Sequence, residues 1–273
     1  MLNEIKEIFE NTKKQTPIVH TITNYVTVND CANIILASGA SPIMSDEIDD
    51  IEEIIGFAGS LIINMGTLNK RTVDSMIFAG KKANALNIPV VLDPVGLGAT
   101  TFRNKTAEKL LKEINFSIIK GNVSELKFMA TNLSNTSGVD ASEDDMVTEN
   151  NMEDTITMLK KLAKRLKAII VATGEIDIIT DGEKTYSVKN GSQLMSKITG
   201  SGCMLGCVVA AFAANNKSDL LNSTLGAVVT FGIAGEIGEK NFKGTGSFRV
   251  ALIDAMSNIT YKEIEEGAKI NVK

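Results

Sequence analysis

Five short apolar runs recur along the chain, each closing on a polar or glycine turn and the first four followed by a stretch with helical spacing. They are PIVHTIT (17–23), SLIINMG (60–66), IPVVLD (88–93), FSIIKGN (116–122) and AIIVATG (168–174). Between them, apolar residues fall three and four apart, as in Val73, Met76, Ile77, Ala83 and Leu86, which is the period of a helix buried along one stripe. Strand, turn and helix in this order predict an α/β protein with a mostly parallel central sheet and helices on both faces. A hairpin is expected late in the chain, with its turn at Asp181-Gly182, because Asp-Gly favours the tight turns that join antiparallel strands. The polar stretch from Leu133 to Asn151 reads as an exposed connection. No linker interrupts the 273 residues, so a single domain spanning 1–273 is expected.

Ligands of parallel sheets bind beyond the carboxyl ends of the strands. That rule gives the post-strand residues Asn24, Met44 to Asp46, Gly66, Asp93, Lys120 to Glu125 and Thr173 a common address. The segment KITGSGCMLGCVVAAFAA (197–214) supplies the anion site that such an edge needs. Gly200, Ser201 and Gly202 lead into an apolar helix, whose first backbone N–H groups have no partner within the helix and carry the positive end of its dipole. Cys203 sits on that first turn as a candidate base, its thiolate favoured by the same field. The glycine spacing is one residue longer than a dinucleotide fingerprint, and no Walker sequence is present.

Composition narrows the partners. A net charge of −5 offers no footprint for nucleic acid or an anionic membrane, which leaves small molecules. Three cysteines and one histidine lack zinc-ligand spacing. The charged amino-terminal segment does not resemble a signal peptide, and no run is expected to supply the ~18 apolar residues of a membrane span. A cytoplasmic protein with reduced thiols is expected.

A carboxylate at a strand end, Asp93, and another on the turn GNVSE, Glu125, suit a hydrated Mg²⁺ held largely through water. An anion hole over Gly200 to Cys203, the cation of Lys120, the two carboxylates and a base at the phosphate together form the equipment of phosphoryl transfer. His20, the one histidine, lies inside an apolar strand and reads as a core or wall residue, not as the base.

Eight segments in order, ITNYVT, SPIM, NMGTL, LDPVGLGATTFR, KGNVSE, TGEIDIITDG, TGSGCMLG and GTGSFRVALIDA, resemble the hydroxyethylthiazole kinase family, and the resemblance covers nearly the whole chain. It implies the ribokinase-like three-layer sandwich and the ATP- and Mg²⁺-dependent phosphorylation of 5-(2-hydroxyethyl)-4-methylthiazole, a salvage step in thiamine biosynthesis. Carried onto this chain, it implies that Met44 and Gly200 contact the thiazole, that Asn24 and Gly66 line its pocket, and that Lys120 and Thr173 contact the nucleotide. Asp93 and Glu125 fall near the metal, and Cys203 stands where related kinases place an aspartate base. It also implies a homotrimer with active sites at the subunit interfaces. Position 120 departs from the family by carrying lysine in place of the usual arginine. The rival readings are a hydroxymethylpyrimidine or pyridoxal kinase, and an ATP- or ADP-dependent dehydratase of hydrated nicotinamide nucleotides.

Overall fold

A computed structural model describes residues 1–132 and 151–273 of the chain. The connection expected between Leu133 and Asn151 falls outside the described residues except at its last position. The strands are β1 (Ile18–Ile22), β2 (Ser41–Met44), β3 (Ser60–Asn64), β4 (Val90–Asp93), β5 (Ile118–Asn122), β6 (Ile169–Thr173), β7 (Asp177–Thr180), β8 (Thr185–Val188) and β9 (Ile270–Val272). They form one sheet in the order β2-β1-β3-β4-β5-β6-β7-β8-β9. The pairs from β2 to β6 are parallel, and the three that follow are antiparallel.

The helices are α1 (Leu2–Gln15), α2 (Val28–Ala37), α3 (Ile48–Ile54), α4 (Lys70–Ala85), α5 (Thr101–Glu113), α6 (Val123–Asn132), α7 (Met152–Leu166), α8 (Ser201–Ala214), α9 (Leu220–Glu239), α10 (Thr245–Asn258) and α11 (Tyr261–Gly267). They divide between the two faces of the sheet. Residues of α1, α2, α8, α9, α10 and α11 pack with Val19, Ile62, Val91, Ile118 and Val171. Residues of α3 to α7 pack with Ile22, Leu61, Ile63, Leu92, Ile119 and Ile170 on the other side. Successive strand residues therefore alternate between two buried layers, as the period of two requires.

The connection through α2 carries the chain from β1 outward to β2, and α3 then returns it past β1 to β3. Right-handed crossovers in opposite directions must place their helices on opposite faces, and α2 and α3 do lie on opposite faces. The reversal opens a crevice between the carboxyl ends of β1 and β3. The amino terminus of α8, which packs under β1, β3 and β4, is brought to that crevice.

Some local expectations needed revision. α5 begins at Thr101, where Thr100 caps it by accepting the Arg103 N–H at 3.3 Å. KGNVSE contains no separate turn: β5 ends at Asn122 and α6 starts at Val123. The view that no stretch has the length and apolarity of a membrane span is corrected by α9, a helix of 20 residues in which an 18-residue window reaches a mean hydropathy of 1.4. In the fold, 72% of that window is buried, so α9 is placed as a core helix.

Candidate active site

Gly200 begins the site. Its φ of 84° is left-handed, and a Cβ there would stand 2.4 Å from Thr27 Cγ2, so both backbone and neighbour require glycine. The chain turns sharply at this point and enters α8, whose first intrahelical bond runs from Met204 N–H to Gly200 O at 2.8 Å. The amides of Ser201, Gly202 and Cys203 precede that bond and have no acceptor within the helix. Over fourteen residues the helix adds its dipole to them.

Facing this turn is a row of polar side chains that the sheet register sets side by side. Asn64 and Asp93 are register partners on β3 and β4. The pairing of Leu92 with Ile119 places Lys120 next to Asp93. All three share the strand parity of Ile62, Val91 and Ile118, and so point into the α8 layer. Asn24 Nδ2 donates to Asn64 Oδ1 at 2.9 Å, and Asn64 Nδ2 donates to Asp93 Oδ2 at 2.8 Å. Lys120 Nζ donates to Asp93 Oδ1 and to Gly202 O, each at 3.1 Å. The sulfur of Cys203 lies over the row, 3.4 Å from Asn24 Nδ2 and 3.3 Å from Asn64 Nδ2. Gly66 closes the near wall: its N–H donates to Asn64 Oδ1, and a Cβ would meet Asn24 at 2.5 Å.

Burial governs the charges here. Asp93 is fully buried, and burial pushes its carboxyl up against the pull of Lys120 and Asn64. At Lys120 burial opposes the charge, but Asp93, Glu125 and Cys203 outweigh it and hold the ammonium above its ordinary value. The pair is therefore a lysine cation on a carboxylate, and both lose more if separated than they gain by meeting. The Cys203 thiol is pushed up by burial and by Asp93, with Lys120, Thr27 and Asn64 only partly offsetting this. The net effect runs against the thiolate that the helix field alone would favour.

Glu125 stands further along the same edge. Its Oε1 accepts from Gly96 N–H at 2.8 Å and its Oε2 from Asn122 N–H at 2.9 Å, while burial moves the carboxyl up against those bonds. Each oxygen of Asp93 and Glu125 thus has one donor and retains a lone pair. Among the described residues no group of three or more His, Cys, Asp or Glu side chains is arranged to hold a metal ion. Such a donor set fits Mg²⁺ that keeps its own waters and touches the protein through them.

Met44 and Thr173 flank this centre. Met44 ends β2 and packs against the α8-side core, and Thr173 ends β6 with its Oγ1 donating to Gly121 O at 3.3 Å. His20 lies outside the site, on the other face of β1, donating from Nε2 to Ser45 O at 2.9 Å. Three residues that sequence reasoning did not select also belong to this edge. Asn64 links three of the selected side chains, a role only the register of β3 against β4 could reveal. Arg103 reaches Met65 O and Gly66 O on one side and Val95 O on the other. Asp177 Oδ1 accepts from Gly174 N–H at 2.9 Å, and burial pushes this largely buried carboxyl up to about 7, against Gly174 and Lys120. A cleft of about 630 Å³ lies elsewhere, at the amino-terminal edge of the sheet between Asn84, Asn115 and Lys167. The polar row itself is buried, and Tyr25 beside it is 78% exposed.

Comparison with known proteins bears on this arrangement. The sequence profile of the Hydroxyethylthiazole kinase family matches residues 9–262. The hydroxyethylthiazole kinase of Clostridium beijerinckii is 49% identical over 276 aligned residues, covering 99% of each chain. The solved structure of the hydroxyethylthiazole kinase protein from Pyrococcus horikoshii superposes with a TM-score of 0.89 at 34% identity, again over 99% of each chain. A ribokinase-like superfamily protein from Enterococcus faecalis shares the fold, with a TM-score of 0.62 at 13% identity over 92% of this chain and 93% of its own. With the sheet, the crevice and the α8 turn in place, the chain belongs to the hydroxyethylthiazole kinase family and has the ribokinase-like fold.

Proposed function

We propose that this chain transfers the γ-phosphoryl group of ATP to the hydroxyl of 5-(2-hydroxyethyl)-4-methylthiazole. The observation that carries the reading is the juxtaposition of the α8 turn with the Asn24, Asn64, Asp93, Lys120 row. Three amides without intrahelical acceptors face the place where negative charge would gather, and a buried cation lies 3.1 Å from Gly202 O behind them. Electrostatic stabilisation of this kind acts most strongly where water is excluded.

The roles follow from position. The amides of residues 201 to 203 receive the migrating phosphoryl group. Met44, Asn24, Gly66 and Gly200 hold the thiazole so that its hydroxyl lies next to Cys203. Thr173 contacts the nucleotide, and Lys120 acts on its phosphates from beneath the turn. Asp93 and Glu125 hold hydrated Mg²⁺, which supplies charge neutralisation for the phosphates. Because the Cys203 sulfur keeps its proton at neutral pH, alignment and charge supply most of the rate, with the thiol assisting proton removal.

The chain works as one domain, 1–273, and as a homotrimer in the cytoplasm. Exposed apolar side chains next to Asn24, Tyr25 at 78% and Val26 at 57%, support a second subunit closing the site. Three free cysteines suit a reducing compartment.

The test is an ADP-release assay with the purified chain. One ADP per thiazole phosphate is expected, with little turnover of pyridoxal, hydroxymethylpyrimidine or hydrated NADH under the same conditions. Preferred turnover of any of those compounds would replace the assignment.

A further inference from the structure

Arg103 occupies an unusual position for a partly buried guanidinium. All its hydrogen-bond partners among the described residues are main-chain carbonyls, and they come from two different turns. Met65 O and Gly66 O belong to the turn after β3, and Val95 O, at 2.7 Å, belongs to the turn after β4. The aliphatic part of the side chain crosses Gly96, where a Cβ would lie 3.2 Å from both Cδ and Nε at a φ of +74°. Glycine is what lets the arm through. The root of the arm is fixed as well, since Thr100 caps α5 by accepting the Arg103 N–H.

Each bridged turn has a grip on a different part of the site. Gly66 is pressed against Asn24 and donates to Asn64, on the side assigned to the alcohol. Gly96 donates to Glu125, on the side assigned to the hydrated cation. Between the two turns, among the described residues, the main-chain link beyond the strands is Met65 N–H to Asp93 O at 3.0 Å. The planar fork of arginine can engage carbonyls on both turns at once, whereas a lysine ammonium is a single point of charge on a flexible stem.

Resting on the kinase reading above, we propose that Arg103 is a positioning residue that locks the alcohol-side turn at 65–67 to the metal-side turn at 94–98, fixing acceptor and phosphoryl donor in one register. It touches neither reactant. The lock matters because misplacement of reacting groups by about 1 Å costs on the order of a hundredfold in rate.

The experiment compares full-length wild type, Arg103→Ala and Arg103→Lys by thermal unfolding, steady-state kinetics and amide hydrogen exchange. In Arg103→Ala, kcat should fall about a hundredfold, with the KM for ATP within about threefold of wild type in a protein that remains folded. Millimolar guanidinium should restore part of that kcat in Arg103→Ala, and equal sodium chloride should not. Arg103→Lys should recover only a small part. The Gly66 and Gly96 amides, both hydrogen-bonded to side chains in the wild type, should exchange faster together in Arg103→Ala while strand amides do not change. The proposal is overturned if kcat stays within threefold, if the loss follows the unfolded fraction alone, or if the two amides respond independently. Should the wild type phosphorylate no thiazole alcohol, the functional reading fails, and the paired exchange of Gly66 and Gly96 still decides the lock.

Discussion

Gly200 and Cys203 carry opposite kinds of constraint although they are three residues apart. At Gly200 the backbone is left-handed and Thr27 occupies the space of a side chain. Gly200→Ala should therefore cost about 1–3 kcal/mol in urea unfolding through backbone strain, and should lower activity further by moving the amides that follow. Cys203 meets no such demand of shape; its question is one of protonation. Burial and Asp93 keep the proton on sulfur, and general-base catalysis is worth ~10²–10⁴-fold when the group is well matched to the pH. For a mismatched thiol the loss in Cys203→Ala should stay below about a hundredfold in kcat, read at pH 7 with unfolding measured alongside. Complete inactivity of a folded variant would show that the thiol does far more. Lys120 illustrates how position alters a residue's meaning. In sequence it is a cation beside a turn; in the fold its ammonium is buried between Asp93 and Gly202 O.

At the level of elements, the strands of the parallel half were legible because each is a short apolar run bounded by polar residues. The turn at Gly200 to Gly202 was legible because three small residues open an apolar helix, Ser201–Ala214, that carries no charge. The carboxyl-terminal elements were not read in this way. α9 is apolar nearly all round because it is surrounded by α1, α8, α10 and the sheet, and a helix buried on every side has no stripe for periodicity to reveal. β9 is three residues long and partly exposed at the sheet edge. Asn64 and Arg103 were missed for a different reason, since their partners are set by strand register and by the path of a loop. The packing of α9 makes its own prediction. A Cβ at Gly232 would meet Asn190 Cβ at 2.7 Å and its carbonyl oxygen at 2.8 Å. Gly232→Ala should destabilise by about 1–3 kcal/mol, the usual range for overpacking, whereas Gly246→Ala on α10, with nothing within 4 Å, should not destabilise. Equal midpoints in urea for the two variants would argue against this packing.

For the whole molecule, pH acts on stability through buried groups on both faces of the sheet. His20 is fully buried, with Nδ1 lacking a partner among the described residues. Burial lowers its pKa below the ordinary 6.5, with Ser45 and Asp50 pulling the other way. The unfolded chain then binds more protons than the fold as pH falls below 6.5, so this contribution is intact above that pH and is lost on acidification. Asp177 works in the opposite sense: with a folded value of about 7 and an ordinary one of 3.8, its contribution declines as pH rises between them. The difference in unfolding free energy between wild type and His20→Gln should therefore shrink from pH 7.5 to 5.5, even if total stability is nearly flat. A difference independent of pH would mean that His20 is not held neutral. The claim on which the account rests is that the amides of the α8 turn receive the phosphoryl group in transfer, with Asp93 and Glu125 on its far side. It is tested most directly by a crystal structure with ADP, Mg²⁺, aluminium fluoride and the thiazole alcohol. The expected result is fluorine within hydrogen-bonding distance, about 2.7–3.2 Å, of the amide nitrogens of residues 202 and 203, with the alcohol oxygen next to Cys203; a fluoride group bound away from this turn would contradict the account.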